Sequence, residues 1–261
     1  MTEVLRRALE DGVLTLTLAR PEARNALSLQ LIKALADALS EAAGNADVRC
    51  IVITGEGKAF CAGGDINEML ERAGKAVATK ERLQNGLNRI ATTIWHLEKP
   101  VVAKVNGDAT GAGMDLVLVC DMAYAADTAR FAASFVRVGL IPDTGGTHTL
   151  PRRAGLHKAK ELVFLGELIS AKEAESLGLI NRAVAPGELD GVVGGVAKKL
   201  AGGPTKTIGL AKRALHRGLG STLEEALEHE AYAQGFCFTT DDHQEGSKAF
   251  LEKREPKFRG T

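Results

Sequence analysis

The stretch from Asn106 to Asp121 (NGDATGAGMDLVLVCD) places the tightest limits on how this chain of 261 residues can fold. Glycine and alanine leave its first half almost without side chains, and an apolar run from Met114 to Cys120 follows directly. Small residues expose backbone N–H groups, and a helix beginning near Ala112 would direct its unpaired first-turn N–H groups at whatever lies in front. The positive end of the helix dipole would lie there too. The stretch therefore predicts an oxyanion site.

One carboxylate, Asp115, falls in the first turn of this predicted helix, among apolar neighbours. Its side chain is expected to reach the same space as the exposed N–H groups, which would make it a candidate catalytic group. A plainer interpretation also stands, because a carboxylate in the first turn stabilises a helix through its dipole and glycines simply make tight turns.

A second turn of small residues occurs in the segment KAFCAGGDI, from Lys58 to Ile66. It follows the apolar run from Cys50 to Thr54, which is typical of a buried strand. Ala62, Gly63 and Gly64 form the turn. Two such turns suggest two converging N–H donors, and losing one donor of an oxyanion hole typically costs about 2.7–4 kcal/mol of transition-state stabilisation.

Composition excludes several classes of protein. Hydrophobic residues make up 45% of the chain and charged residues 25%, which excludes a disordered or fibrous protein. The formal net charge is +0 and the basic residues are scattered, so neither a nucleic acid nor a membrane surface is an expected partner. The four cysteines have no CxxC spacing, and neither they nor the histidines predict a metal site. The first residues have no apolar signal, so we expect a cytoplasmic location.

Strand and helix patterns alternate up to about residue 190, which predicts stacked βα-type units. Ser28 is a plausible N-cap for a helix that ends near Gly44. Residues 67 to 86 are polar and carry little information, and helical periodicity extends from Thr147 to Leu165. After Pro186 only helical patterns follow, at residues 189–200, 205–217 and 223–238.

The sequence resembles the crotonase superfamily, also called the enoyl-CoA hydratase/isomerase family, over essentially its full length. Any one of the matching segments alone would be weak, but their order and spacing together are specific. The segments are RPEARNALS (20–28), KAFCAGGDI (58–66), KPVVAKVNGDATGAGMDLVLVCD (99–121), GLIPDTGGTHTLPR (139–152), GLI (178–180) and AFLEKREPKF (249–258).

The resemblance implies an α/β fold, a crotonase-like spiral of ββα units with a C-terminal helical subdomain. Residues 1–190 would form the spiral core with the acyl-CoA site. Residues 191–261 would form the helical subdomain, which in the family builds a homotrimer, often paired into a dimer of trimers.

The resemblance also assigns roles to residues. Gly64 and Ala112 would donate the two N–H groups that hold the thioester oxygen of an acyl-CoA. Coenzyme A is part of the substrate, and no other cofactor is expected. Further positions fall where family members contact the CoA or the acyl group: Ala23, Arg24, Lys58, Ala62, Ile66, Phe135 and Lys253. The basic tail around Lys253 could equally be a solvated charged segment.

The acid and base groups distinguish the reactions of the family. Enoyl-CoA hydratases use two glutamates, and this chain has Asp115 at the first position and Phe135 at the second. A carboxylate appears instead at Asp143 in GLIPDTGG, which resembles the isomerases of the family, and GAGMD with Asp115 is similar to the dienoyl-CoA isomerases. From turn chemistry alone, Asp143 could merely cap the following helix.

We therefore predict an enoyl-CoA isomerase that shifts a double bond through an enolate held in an oxyanion hole, with Asp143 as the base and Asp115 assisting. The alternative is an enoyl-CoA hydratase that uses Asp115 and a rearranged second group. A dehalogenase or thioester hydrolase with Asp143 as nucleophile, and a catalytically weak acyl-CoA-binding or RNA-binding relative, also remain open. The sequence does not specify the length or the aromatic character of the acyl group.

Overall fold

The strands form two sheets in the computed structural model, which describes residues 3–71 and 73–261. The larger sheet has the order β1-β2-β3-β5-β7-β10, and the smaller sheet has the order β4-β6-β8-β9. The strands are β1 (Leu5–Glu10), β2 (Val13–Leu18), β3 (Cys50–Gly55), β4 (Ala59–Cys61), β5 (Val101–Val105), β6 (Asp108–Thr110), β7 (Met122–Ala126), β8 (Arg130–Ala132), β9 (Ile169–Ser170) and β10 (Arg182–Val184).

Helices follow pairs of strands along the chain. They are α1 (Leu29–Gly44), α2 (Ile66–Leu70), α3 (Ala76–Asn85), α4 (Leu87–His96), α5 (Ala112–Val119), α6 (Gly146–Ala154), α7 (Leu156–Leu165), α8 (Ala171–Ser176), α9 (Leu189–Ala201), α10 (Thr205–Gly218), α11 (Leu223–Cys237) and α12 (Asp241–Leu251). No helix of the described chain is both long enough and apolar enough to cross a membrane.

The topology repeats one unit three times. Strands β3, β5 and β7 lie side by side and parallel in the larger sheet. Each is followed by a short strand that joins the smaller sheet, where β4, β6 and β8 also run parallel, and then by one or more helices. This succession is a spiral of ββα units, so the predicted fold class is confirmed.

Two layers of helices cover the larger sheet. Helix α1 begins where predicted, because the Ser28 hydroxyl accepts a hydrogen bond from the Leu31 amide at 3.2 Å, and it buries Leu31, Leu35 and Leu39 in the main core. On the other face, α9 packs Val193 and other small apolar residues against the sheet. The division of the chain at residues 190 and 191 stays a prediction, and α9 begins next to it.

The structure differs from the sequence-based expectations at three places. The helical pattern from Thr147 to Leu165 is two helices, because Gly155 has a φ of 76° that ends α6 and starts α7 in a new direction. Helix α12 was not predicted. The polar segment from residue 67 to 86 contains most of α2 and all of α3, while its Arg72 lies outside the described residues.

Candidate active site

The turn before α5 has the geometry that the glycines predicted. Gly111 adopts a φ of 53°, and its amide donates to the Ala132 carbonyl at 2.8 Å. Helix α5 then begins at Ala112, as predicted. Gly113 lies so close to the end of β4 that a Cβ there would overlap the Cys61 carbonyl, so the start of the helix is pressed against the neighbouring strand.

The second small-residue turn, after β4, lies directly beside the first. Gly63 has a φ of 93°, and its carbonyl accepts a hydrogen bond from the Leu27 amide at 2.7 Å. A Cβ placed on Gly63 would lie 3.5 Å from the Ala112 nitrogen and 3.7 Å from the Gly111 Cα. The two turns are far apart in sequence, and parallel pairing of β4 with β6 brings them together.

Gly64 and Ala112 both line a cavity of about 650 Å³. Within the hydrogen bonds of residues 3–71 and 73–261, neither of their amides donates to an acceptor. Ala112 is the first residue of α5, and first-turn amides of a helix have no partner inside that helix. Two unpaired N–H groups therefore lie on adjacent turns at the wall of one cavity.

The cavity is mostly apolar. One part of the wall comes from α1 and the turn before it, and from α2, α3 and the start of α4. The 3-10 helix Ser134–Val138 forms another part. The main apolar residues of the wall are Leu27, Ile32, Met69, Leu83, Leu87 and Phe135.

Asp143 is the one carboxylate among the described residues that line this cavity. It is half-buried in the loop before α6, and the Thr144 hydroxyl donates to its Oδ1 at 2.7 Å. Burial raises the pKa of Asp143 above its usual value, against the opposing effect of the Thr144 hydrogen bond. Helix α6 has Gly145 as its N-cap and no side-chain cap, so Asp143 does not serve as the capping residue.

Asp115 does not line the cavity, in contrast to the expectation that its side chain would reach it. The residue is 1% exposed, and its carboxylate fills the space where a Cβ on Gly146 would stand. Its Oδ2 has no hydrogen-bond partner within the described part of the chain. Burial is the main cause that raises the pKa of Asp115 well above its usual value, and the negative charge of Asp143 adds to it.

Other predicted site residues divide into two groups. Ala62, Ile66 and Phe135 line the cavity beside Gly64 and Ala112. The second group does not line it and consists of Ala23, Arg24, Lys58 and Lys253. Whether any residue of either group contacts CoA stays a prediction.

Arg24 belongs to a charged cluster beside the smaller sheet. Its guanidinium donates to Asp108 at 2.8 Å, and Arg130 donates to the same carboxylate at 2.7 Å. These hydrogen bonds, chiefly that of Arg130, hold the pKa of Asp108 below its usual value. The Arg24 carbonyl accepts a hydrogen bond from the Ala62 amide at 3.0 Å, so the Arg24 backbone supports the turn next to the cavity.

Sequence reasoning missed Met69, Arg82, Leu83 and Leu87, which line the cavity from α2, α3 and the start of α4. Leu83 belongs to α3 and Leu87 to α4, with Gly86 between them, so no single helical pattern marked these residues as parts of one wall. The described residues contain no group of three or more His, Cys, Asp or Glu side chains that could hold a metal ion.

Comparison with known proteins identifies the family. The model of the enoyl-CoA hydratase/isomerase family matches residues 8–261. The chain is 38% identical to the 1,2-epoxyphenylacetyl-CoA isomerase of Escherichia coli over 261 residues, which cover 100% of both chains. It is 36% identical to a short-chain-enoyl-CoA hydratase of Clostridium acetobutylicum over 249 residues, 94% of each chain.

A solved structure gives the same result. The crystal structure of an enoyl-CoA hydratase from Bacillus anthracis superposes with a TM-score of 0.93 at 34% identity, covering 99% of this chain and 100% of the other. The chain belongs to the enoyl-CoA hydratase/isomerase family of the crotonase superfamily. It is an enzyme of that family.

Proposed function

We propose that this enzyme is an acyl-CoA double-bond isomerase. The observation that supports the proposal best is that, among the residues that the structure describes, Asp143 is the one carboxylate in the wall of a cavity where the amides of Gly64 and Ala112 have no acceptor. Isomerisation needs one group that can take and return a proton, together with donors for an enolate oxygen.

The reaction begins when the thioester oxygen of a β,γ-unsaturated acyl-CoA accepts hydrogen bonds from Gly64 and Ala112. Asp143 removes a proton from the α-carbon, and the electrons of that C–H bond form a dienolate whose negative charge lies on the held oxygen. Asp143 then returns the proton to the γ-carbon, so the double bond moves to the α,β position. No atom is gained or lost, and CoA enters only as part of the substrate.

The surroundings of Asp143 suit this role. An aspartate in water has a pKa of about 3.9, which makes it a weak base near neutral pH. Burial raises the pKa of Asp143 and therefore strengthens it as a base. Asp115 would assist by position from behind the wall, because its carboxyl group fills the space between α5 and Gly146 of α6.

An enoyl-CoA hydratase is the alternative, and relatives of both kinds match this chain. Hydration requires a group that activates water as well as a group that protonates the α-carbon. Phe135 stands in the cavity wall at the position where the resemblance places the second glutamate of hydratases, and it cannot transfer a proton.

The first experiment follows both reactions together. Purified protein would receive a β,γ-enoyl-CoA and, separately, an α,β-enoyl-CoA in deuterated water, with products followed by mass and absorbance. We expect the first substrate to give the α,β isomer with no gain of the mass of water. Rapid conversion of the second substrate to a 3-hydroxyacyl-CoA, without isomerisation of the first, would contradict the proposal.

The Asp143→Asn variant tests the base. The loss of proton transfer should lower kcat by about 10²–10⁴-fold, while acyl-CoA binding, measured by calorimetry, changes little. Asp11→Asn is the control, because Asp11 is an exposed turn residue with a φ of 48° that asparagine tolerates. Retention of isomerase activity by Asp143→Asn would refute the assignment.

We also propose that the helical C-terminal region assembles the protein into a homotrimer or a dimer of trimers. Large apolar side chains are exposed on α10 to α12 and on the segment between α11 and α12, among them Leu215, Leu223, Tyr232, Phe238 and Phe250. Such a concentration on one region of a chain is typical of an interaction surface.

A further inference from the structure

Arg82 is a half-buried cation in the wall of a mostly apolar cavity. Two basic residues of the described chain, Lys75 and Arg82, line the cavity. Lys75 is exposed, and its ammonium group donates to the Glu71 carbonyl. The Arg82 side chain is only 16% exposed, and its neighbours in the wall include Leu83 and Leu87.

Arg82 forms an ion pair with Glu68, in which Nη2 donates to Oε2 at 2.8 Å. The Glu68 carboxylate also accepts hydrogen bonds from the Leu29 amide, at 2.9 Å to Oε2 and 3.2 Å to Oε1. Leu29 is the first residue of α1, where the helix dipole favours a negative charge. Glu68 therefore has electrostatic stabilisation that does not depend on Arg82.

A guanidinium group carries five N–H donors and is always charged in proteins. Within the hydrogen bonds of the described residues, Arg82 uses Nη2 alone as a donor. The remaining donors require water or an oxygen of a bound molecule. An acyl group that fills the cavity displaces water, so a hydrocarbon chain would leave these donors unpaired, whereas an acyl oxygen would satisfy them.

We propose that Arg82 is a specificity-determining residue that donates hydrogen bonds to an oxygen of the acyl group, so that this enzyme prefers acyl-CoA thioesters oxygenated away from the thioester over plain hydrocarbon chains. The inference rests on the proposed function, because it places the acyl group of an acyl-CoA in this cavity. A site built to hydrogen-bond a substrate oxygen discriminates strongly against the analogue that lacks it.

Matched substrates test the preference. Each pair consists of two β,γ-enoyl-CoAs of equal length, one with a terminal hydroxyl group and one with a terminal methyl group, in a series of chain lengths. Saturated acyl-CoAs with the same two termini serve for calorimetric measurement of Kd. We expect the wild-type protein to favour the hydroxyl member by about tenfold or more in kcat/KM and in Kd at one or more lengths.

Two variants distinguish a contact between Arg82 and the substrate from an effect of the Arg82–Glu68 ion pair, which links α3 to α2. Arg82→Met removes the donors at similar side-chain length, and it should abolish or reverse the preference. Glu68→Gln removes the charge of the partner but keeps Arg82, and it should retain the preference. If Arg82→Met does not fold, as judged by thermal unfolding, the double variant Arg82→Met/Glu68→Gln removes both charges and makes the same prediction.

The results distinguish this inference from the proposed function. If Kd favours the hydroxyl member in the wild type but not in Arg82→Met, and no substrate is isomerised, the isomerase proposal would be refuted and the role of Arg82 supported. Isomerisation with no preference for the hydroxyl member at any chain length would support the isomerase proposal and refute the role of Arg82. The role of Arg82 would also be refuted if Arg82→Met kept the preference for the hydroxyl member. It would be refuted as well if Glu68→Gln lost that preference to the same extent as Arg82→Met.

Discussion

The Asp115 side chain lies in the first turn of α5 and is buried against Gly146 in α6. A carboxylate that is buried with an unpartnered oxygen favours its neutral form. Its ionisation is therefore coupled to folding.

The coupling predicts a dependence of stability on pH. In the unfolded chain Asp115 ionises near pH 4, at about its ordinary pKa of 3.9, whereas the pKa in the folded protein is raised. Between these two pKa values the folded state holds more protons, so the stabilisation from this group is full below the unfolded pKa and is lost as pH rises through the folded pKa.

The Asp115→Asn variant should therefore gain stability relative to the wild type as pH rises above 4, by about 1.4 kcal/mol for each unit by which the pKa is raised. Urea unfolding at a series of pH values measures this difference. Asp11→Asn, at an exposed turn, is the control for the same substitution at the surface. A difference that stays constant for Asp115→Asn would contradict the prediction.

At the level of elements, α5 is anchored at its C-terminal end. Its first amide lies at the cavity, and Arg153 of α6 donates to the carbonyls of Leu118 and Cys120 at its C-terminal end, at 2.9 and 3.3 Å. Asp121 follows, and it accepts hydrogen bonds from the Val101 amide and the Lys212 ammonium group of α10, each at 2.8 Å. The C-terminal region thus anchors the segment that carries the candidate oxyanion donor.

Removal of this anchor should destabilise the protein. The side chains of Lys212 and Asp121 are 6% and 16% exposed, so Lys212→Met leaves a largely buried carboxylate without its cationic partner and should cost about 3–5 kcal/mol in the free energy of unfolding. Chemical denaturation measures the loss, and the double variant Lys212→Met/Asp121→Asn should recover part of it.

Lys104→Met is the matched control, because Lys104 pairs with Asp190, which is 86% exposed. An exposed pair contributes about 0–1 kcal/mol. If Lys212→Met cost no more than Lys104→Met, the anchoring role of the buried pair would be wrong.

For the whole molecule, the main open question of packing concerns the helices after residue 201, which expose many large apolar side chains. Helix α11 buries none of its residues, and its Tyr232 and Phe236 are 73% and 50% exposed. An isolated monomer would expose this apolar surface to water, which is unfavourable. The proposed oligomer accounts for the exposed residues.

Sedimentation or light scattering of the purified protein should give the mass of a trimer or a hexamer. The double variant Tyr232→Glu/Phe236→Glu places two charges on this surface and should shift the distribution toward smaller species. Leu9→Glu on β1, where Leu9 is 46% exposed, is the control and should leave the mass unchanged. A monomeric wild-type protein would refute the proposal.

Local patterns predicted much of the fold. Ser28 as the cap of α1, the start of α5 at Ala112 and the two small-residue turns depend on a few adjacent residues, whose backbone preferences act over short distances. The helical pattern across Gly155 was misleading, because apolar spacing continued while the backbone changed direction.

The order and spacing of specific segments carried the resemblance that implied the family and its ββα spiral, and the glycine-rich patterns predicted the residues of the two turns. No local pattern indicated that Asp143 lines the cavity while Asp115 lies behind its wall, or that Arg82 is half-buried in that wall. The side of a wall on which a side chain lies depends on how separate helices pack, and packing is set by contacts between residues far apart in the chain.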